Sequence, residues 1–462
     1  MKIVFNTFNG MLPRPNVGIK PDNCAKVAWN CDLRDGRLRP LKQALLVSSD
    51  YPLVNADYSD ADDGAAVKHL RFVHRVSGDV ILWWASEKEV AEVNIDASNE
   101  FRCVVSGYDV NAGDPAYIAS YQVGSDVDSK PAVTPLIKTR LAAPVVSILY
   151  SQGELKNAYT TYKQTWIDRN GFESPLSPPS AILAYFDDGT VCDWVQIAQV
   201  AAPVGAVARR IYKSLAAEDG TAVYQFVYEQ AARAGQFVAL TLNVLDKDAG
   251  GVAPDADNPP ETLGGIVSVF GGFYAGFDLQ TRREVLFSDV DLPYVWPLAN
   301  RISTVDQTVV RLVSYGNSVL VLTDDIPLVF TGTSPDMMTV SSTATHAPCV
   351  SRRSVVQIGA SVVYASDDGL YMIPISGETQ VTNLTQNHFD RRAWRALHPE
   401  SSFAAVHNNQ IFLWFPDPRV DPVMRQQRYI FADGLSAMTC HYELCEAAIT
   451  IADRGVVMLR RA

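Results

Sequence analysis

Residues 316–330 read GNSVLVLTDDIPLVF and residues 359–373 read GASVVYASDDGLYMI, and the two stretches carry their landmarks in register. Gly316 and Gly359, Thr323 and Ser366, and Asp324-Asp325 and Asp367-Asp368 are each 43 residues apart. The apolar runs Val319–Leu322 and Val362–Tyr364 are nearly continuous rather than alternating, the pattern of strands covered on both faces. A period of about 40–50 residues built of short strands is that of a β-propeller blade. Weaker copies lie on either side. Gly272-Phe-Tyr-Ala-Gly-Phe-Asp278 begins 44 residues before Gly316, and Asn409-Gln-Ile-Phe-Leu-Trp-Phe415 begins 49 residues after Ala360. Gly78-Asp-Val-Ile-Leu-Trp-Trp-Ala-Ser86 looks like a divergent copy near the N terminus.

Between these copies the chain changes character. From about 141 to 262, strand candidates fall at Val145–Tyr150, Tyr159–Ile167, Val191–Ala198, Ala208–Leu215, Tyr224–Glu229 and Phe237–Val244. Turn signals such as Asp168-Arg-Asn-Gly171 separate them, and Ser174-Pro-Leu-Ser-Pro-Pro-Ser180 adds a Pro-rich stretch. Short strands at such spacing predict a small β-sandwich. The expected fold is therefore all-β: an irregular β-propeller interrupted by a fibronectin III/Ig-like β-sandwich. The N-terminal segment and first blades occupy 1–140, the sandwich 141–262 and the remaining blades 263–462. Ring closure is expected to pair a strand near the N terminus with one near Val456–Arg460, which removes an exposed sheet edge. Helix signal is low, with Phe389–Leu397 the best short candidate.

Composition bounds the function. The chain has 462 residues, 47% hydrophobic and 19% charged, which is globular rather than disordered. No apolar run reaches the roughly 18–20 residues of a membrane helix, and the N terminus lacks the apolar core of a secretory signal. Insertion into a membrane is not expected. The seven cysteines are scattered, without zinc-ribbon or CxxC spacing, and read as reduced thiols. With 39 basic and 51 acidic residues the net charge is −12, which argues against a protein that grips nucleic acid through a broad basic face. It remains compatible with DNA sliding past without sticking.

No catalytic, cofactor or metal-binding constellation emerges. A sialidase-type Asp-box needs Ser-x-Asp-x-Gly-x-x-Trp; Ser366-Asp-Asp-Gly369 places Gly one residue early and lacks the Trp. The Asp pairs read as hairpin turns, because adjacent residues usually point to opposite sides and make a poor acid/base couple. The histidines show no HExxH or His-x-His pairing. Asp60-Ala-Asp-Asp-Gly64 and Asp246-Lys-Asp248 hint at calcium but miss the loop pattern. Basic doublets recur at 209–210, 282–283, 352–353 and 460–461, with a cluster at Arg391, Arg392 and Arg395. These three are candidates for subunit contact, since Arg anchors interfaces and pairs bidentately with carboxylates; local salt bridging is the alternative. The tryptophans, including Trp83-Trp84, Trp296 and Trp414, read as propeller core rather than sugar platforms.

Five stretches carry a resemblance. Residues 23–42, NCAKVAWNCDLRDGRLRPLK, resemble the opening segment of tail and nozzle proteins of tailed bacteriophages. Gly171–Ser180 and Arg209–Ser214 resemble the sandwich domain inserted in those proteins, and Phe287–Pro297 and Cys349–Val356 resemble their propeller. The chain is shorter than the nozzles of the best-known short-tailed coliphages. The resemblance implies a virion structural protein, a tail nozzle or hub (tail tubular protein), assembled in the host cytoplasm and resident in the virion tail. It implies a homo-oligomer, a hexameric ring below the portal and adaptor that continues the DNA-ejection channel and anchors fibres, spikes or needle proteins. Genomic DNA would pass through without specific binding. No cofactor and no enzymatic activity are implied. The alternatives are a receptor- or glycan-binding tail protein and, third, a propeller glycoside hydrolase.

Overall fold

The computed structural model describes residues 31–32, 39–40, 53–56, 68–73, 80–92, 100–108, 116–122, 131–154, 156–216, 222–254, 257–343, 345–375, 381–419, 427–432, 437–442, 445, 447–451 and 455–459. They are nearly all β and fall into two compact units. One comprises residues 1–135, 261–291 and 300–462; the other comprises 136–260 and 292–299.

The first unit is an irregular β-propeller, and the repeated stretches are the second strands of its sheets. Ser318–Thr323 follows Val309–Tyr315 and precedes Leu328–Thr331 and Thr339–Ser342 in a four-stranded antiparallel meander. Ser361–Ala365 holds the same place between Val356–Ile358 and Leu370–Pro374. Phe273–Asp278 and Gln410–Trp414 do so in two further sheets. Val80–Trp84 is the central strand of a sheet whose third member, Leu53–Asn55, runs parallel to it and comes from earlier in the chain. Gly316 (φ 57°) and Gly359 (φ 56°) open two-residue hairpins in the left-handed region, and Asn408 (φ 49°) with Asn409 (φ 58°) takes that place before Gln410. These positive-φ turns match the twist of the flanking strands.

Continuous apolar runs arise because each second strand is buried on both faces. Leu320 and Leu322 pack with Val362 and Tyr364 of the next sheet. The opposite face of that sheet, Val363 and Ala365, packs with Ile411 and Leu413 of the one after. Leu82 and Trp84 pack in the same way with Cys103, Val105 and Tyr117, and Phe403 and Trp414 pack with Ala448. Phe287 meets Phe330, and Tyr108 meets Phe277, at ring-centroid distances of 6.1 Å. The strand Ala447–Ile451 lies against His69–Val73, so the last sheet meets the first. Gly455–Leu459 pairs with Ala447–Ile451; an N-terminal closing strand, like most of residues 23–42, lies outside the described residues.

The second unit is the sandwich. Val146–Tyr150, Trp194–Ile197 and Leu240–Leu242 form one sheet; Tyr162–Asp168, Ala206–Ala216 and Ala222–Ala231 form the other. Val195, Ile197 and Leu242 from the first bury against Tyr162 and Ile211 from the second. The short strand Leu183–Tyr185, paired with Ala158–Thr160, has no counterpart in the sequence reading. Trp296, read from the sequence as propeller core, is buried in the 292–299 segment of this unit, where its backbone N–H donates to the Asp257 carbonyl.

The Pro-rich stretch has a defined task there. Ser174, Ser177 and Ser180 sit along the edge of Tyr162–Asp168, three residues matching every two of the strand. Their N–H groups donate to the carbonyls of Trp166, Gln164 and Tyr162 at 2.8, 3.0 and 2.8 Å. Their hydroxyl oxygens accept from the N–H groups of the same three residues at 3.0, 3.0 and 2.9 Å. A segment with too many prolines to form a ladder strand thus satisfies a full strand edge through serine side chains.

Candidate functional site

Among the described residues of the propeller unit, chemistry is concentrated in a cavity of about 190 Å³ where the first strands of several sheets converge. Lys68 and His69 come from the start of His69–Val73, and Glu87, Lys88 and Glu89 from the start of Lys88–Glu92. Arg311 stands on Val309–Tyr315; Arg352 and Arg353 form a short 3₁₀ turn just before Val356–Ile358. Tyr108 and Phe403 add aromatic surface. First strands line the centre of a propeller, so each blade contributes its residues to one place.

The two carboxylates are engaged. Glu89 pairs with Arg311 at 2.7 Å and accepts from the Tyr108 hydroxyl at 3.0 Å. Glu87 pairs with the Arg352 Nε. Arg311 also donates from Nη1 to the backbone carbonyls of Arg352 and Val355, at 2.6 and 3.2 Å. The Arg352 guanidinium lies 4.5 Å from the Tyr108 ring centre, and that of Arg353 lies 4.8 Å from the Phe403 ring. Among the described residues, five cations line the cavity against these two carboxylates.

The electrostatics follow from that excess. Burial lowers the pKa of His69 to about 3, with Arg311, Arg71, Arg353 and Lys88 pressing in the same direction, so the imidazole is neutral. Burial opposes the charge on Arg311, but Glu89, together with Tyr108 and Cys349, holds the group above its ordinary value. Arg353 and Arg282 are held below theirs, chiefly by burial. Tyr108 is pushed well up by burial and by Glu89.

The residues singled out in the sequence lie elsewhere. Arg391 and Arg395 both donate to the Asp367 Oδ2 at 2.7 Å, across the loop Ser366–Gly369, while Arg392 is exposed beside them. They stand on the short helix Arg391–Arg395, whose Asp390 cap accepts from the Ala393 N–H at 2.7 Å. All three arginines are exposed. Asp324-Asp325 and Asp367-Asp368 lie in the loops between second and third strands, where Asp324 accepts from the Thr308 N–H at 2.8 Å and Asp325 pairs with His346. Asp246 accepts from the Tyr185 hydroxyl at 2.7 Å and pairs with Lys213 at 2.5 Å. Asp60–Gly64 and Arg460-Arg461 lie outside the described residues. Arg209 is fully buried in the sandwich, donating to Gln230, Gln164 and two backbone carbonyls.

His398, Glu400 and Asp417 bring three metal-type ligand atoms within 4.8 Å of one another. Arg419 already occupies this group, reaching Asp417 at 2.6 Å and Glu400 at 3.0 Å. Its hydrogen bonds hold the Asp417 carboxyl down to about 2. The cation that this cluster needs is supplied by the chain itself.

The cavity was not visible in the sequence. Arg352-Arg353 is a doublet in the sequence, but the partner of Arg352, Glu87, is 265 residues away. No family model matches the chain, and no curated protein matches it. Solved structures give distant likenesses. Apo AztD from Citrobacter koseri is 13% identical with a TM-score of 0.26, over 77% of this chain and 94% of that one. A second AztD structure from the same organism gives 13% and 0.27, over 81% and 92%. KlHsv2 with loop 6CD replaced by a Gly-Ser linker gives 10% and 0.22, over 77% and 98%. Likenesses at this level carry no functional argument, and the chain's function has to be read from its own residues.

Proposed function

We propose that this chain is a structural protein of a bacteriophage tail, a nozzle or hub whose copies close a ring around the path of DNA exit. The observation that carries the reading is the interruption of the propeller. After the strand Ala132–Pro135 the chain leaves to build a sandwich with its own core, and it returns with the strand Leu263–Val269. That organisation accompanies the sequence resemblance to nozzle proteins. The resembling stretch Gly171–Ser180 also has a specific structural task as the serine edge. In this reading the portal and adaptor lie above the ring, fibres or spikes attach outside it, and the net charge of −12 keeps phosphates from lodging on it.

Cryo-microscopy of intact particles tests the proposal by giving position and copy number together. Six copies around a lumen that admits a DNA duplex are expected. A trimer without a lumen, or absence of the chain from particles, would overturn it. One observation favours the receptor- or glycan-binding alternative: Tyr150 and Tyr159 of the sandwich are 63% and 74% exposed. Glycan-array binding by the purified trimer or monomer would select that reading instead.

A further inference from the structure

We propose that the sandwich closes a covalent bond of its own, an amide between the Lys138 side-chain nitrogen and the Asp168 side-chain carbonyl. The two groups already touch. Lys138 Nζ lies 2.5 Å from Asp168 Oδ2, and each side chain is 2% exposed. The residues are 30 apart in the chain. One carbonyl bond length beyond Oδ2, Asp168 Cγ is at most about 3.7 Å from the nitrogen. That is close to the roughly 3–3.5 Å of a pair poised to react. Two other lysine–aspartate pairs of this unit have the same separation, but each keeps one partner in water. Lys156, beside Asp193, is 29% exposed, and Asp246, beside Lys213, is 42% exposed. Lys138 and Asp168 are both withdrawn from solvent.

The surroundings hold both groups in place. The Lys138 backbone N–H donates to Asn258 Oδ1 at 3.1 Å, and its carbonyl accepts from Asn258 Nδ2 at 2.8 Å. The Thr139 carbonyl accepts from the Trp166 indole at 2.7 Å. Nζ stands 5.1 Å from the Trp166 ring centre and 5.9 Å from that of Phe172. Burial lowers the pKa of Lys138, against the pull of Asp168, which favours the uncharged amine that acts as a nucleophile. Across the pair, Asp168 Oδ1 accepts from the Asn170 and Phe172 N–H groups at 2.8 and 3.0 Å. Two fixed donors on that oxygen stabilise the negative charge it gains when the carbon is attacked.

The step is a condensation without change of oxidation state. One proton passes from the Lys138 ammonium to Asp168 Oδ2, giving a neutral amine and a neutral acid. Nζ attacks Cγ and the C–N bond forms. A second Nζ proton moves to Oδ2, the Cγ–Oδ2 bond breaks, and Oδ2 leaves as water. One N–H remains on the amide. In open water the separate ions are well solvated and the condensation is disfavoured. Here two charges are held in a dry interior at a cost, and the neutral amide removes both. Exclusion of water also protects the bond from hydrolysis. The bond staples the segment where the sandwich unit begins to the end of its strand Tyr162–Asp168.

The test is the mass of the full chain, read after incubation at neutral pH and complete denaturation, so that no ion pair survives. The expected mass is that of the sequence less one water. Trypsin should then release a branched peptide, in which the segment ending at Arg140 carries 164–169 on Lys138. Lys138→Arg keeps a cation beside Asp168 but offers no amine for this bond, and its mass should be that of its sequence. A wild-type chain of full sequence mass, with 164–169 released as a linear peptide, overturns the proposal and leaves Lys138 and Asp168 an ion pair. So does a missing water that maps to other residues or persists in Lys138→Arg. The wild type alone decides if Lys138→Arg fails to fold.

Discussion

Replacing Ser177 by Ala isolates one rung of the serine edge. Ser177 and Gln164 are each 2% exposed. In the native chain the Gln164 N–H donates to the Ser177 hydroxyl oxygen at 3.0 Å, and that hydroxyl donates onward to the Pro178 carbonyl at 2.9 Å. The rung from the Ser177 N–H to the Gln164 carbonyl uses only backbone and survives the substitution. What is lost is the acceptor of the Gln164 N–H. The opposite edge of its strand is taken up by Ala206–Ala216. A buried donor left without a partner costs about 1–3 kcal/mol, more than the net value of an ordinary hydrogen bond. The small apolar gain of Ser→Ala does not offset this.

The expected loss for Ser177→Ala is therefore about 1–3 kcal/mol, with similar values for Ser174→Ala and Ser180→Ala. All three together orphan three donors on one strand, a loss of about 3–9 kcal/mol. That approaches the whole stability of a typical domain, and the sandwich should not stay folded. Because two units need not unfold as one, the assay is hydrogen exchange read by mass spectrometry on peptides covering 162–168. Exchange of the Gln164 amide should accelerate by roughly 5- to 150-fold, the equivalent of that energy. If Ser177→Ala leaves exchange within twofold of the wild type, the serine hydroxyl is not what satisfies the strand edge and the reasoning fails.

Other outcomes follow from the packing and the charges. Trp394→Ala removes a fully buried indole that donates to the Ser366 carbonyl at 2.8 Å and meets the Phe415 ring edge-on; a loss of about 3–5 kcal/mol is expected by denaturant titration. Gly264→Ala and Gly316→Ala should differ in mechanism. A Cβ at Gly264 would meet the Gly107 carbonyl oxygen at 2.7 Å, whereas at Gly316 nothing lies within 4 Å and only the left-handed φ resists. Crystal structures should show a shifted backbone near Gly107 in the first variant only, and Gly316→Asn should be milder than Gly316→Val, as the Asn408-Asn409 turn already uses Asn there. For His69, folding lowers the pKa from 6.5 to about 3, so the unfolded chain takes up a proton that the folded chain refuses. Stability should fall with a slope of up to about 1.4 kcal/mol per pH unit from about pH 6.5 down toward pH 3, and His69→Gln should flatten it. An imidazole resonance of His69 that titrates near pH 6.5 would refute this.

How far the sequence was legible depended on how local each feature was. The second strands were readable because burial on both faces leaves an unbroken apolar run, as at Ser318–Thr323, where every residue but the first is buried. Their neighbours were not. Val309–Tyr315, a first strand, mixes buried, half-buried and exposed positions without a period, and its Arg311 borders the cavity. Four of the six sandwich strands read from the sequence match to within a few residues, whereas Tyr159–Ile167 and Phe237–Val244, each read as one strand, are each two strands that pair in different sheets. Leu183–Tyr185 escaped because three residues hold no period. The serine spacing at 174, 177 and 180 was present in plain view, but a period of three has no meaning until the strand that it edges is known.

The same distinction decides where chemistry is found in such a fold. Residues that look reactive side by side, such as Asp367-Asp368 with Arg391 and Arg395, are joined through a loop and the short helix that follows, and they complete each other's charge. A propeller assembles its central site differently. Each blade delivers a few side chains from at or near its first strand, so the ion pairs of the cavity join residues far apart in the chain. Glu89 and Arg311, and Glu87 and Arg352, are pairs of this kind, and no sequence window contains either. Motif absence in a propeller therefore says little about its axis. The informative residues are charged ones at first-strand ends, where an architecture built on apolar second strands has no packing reason to place them.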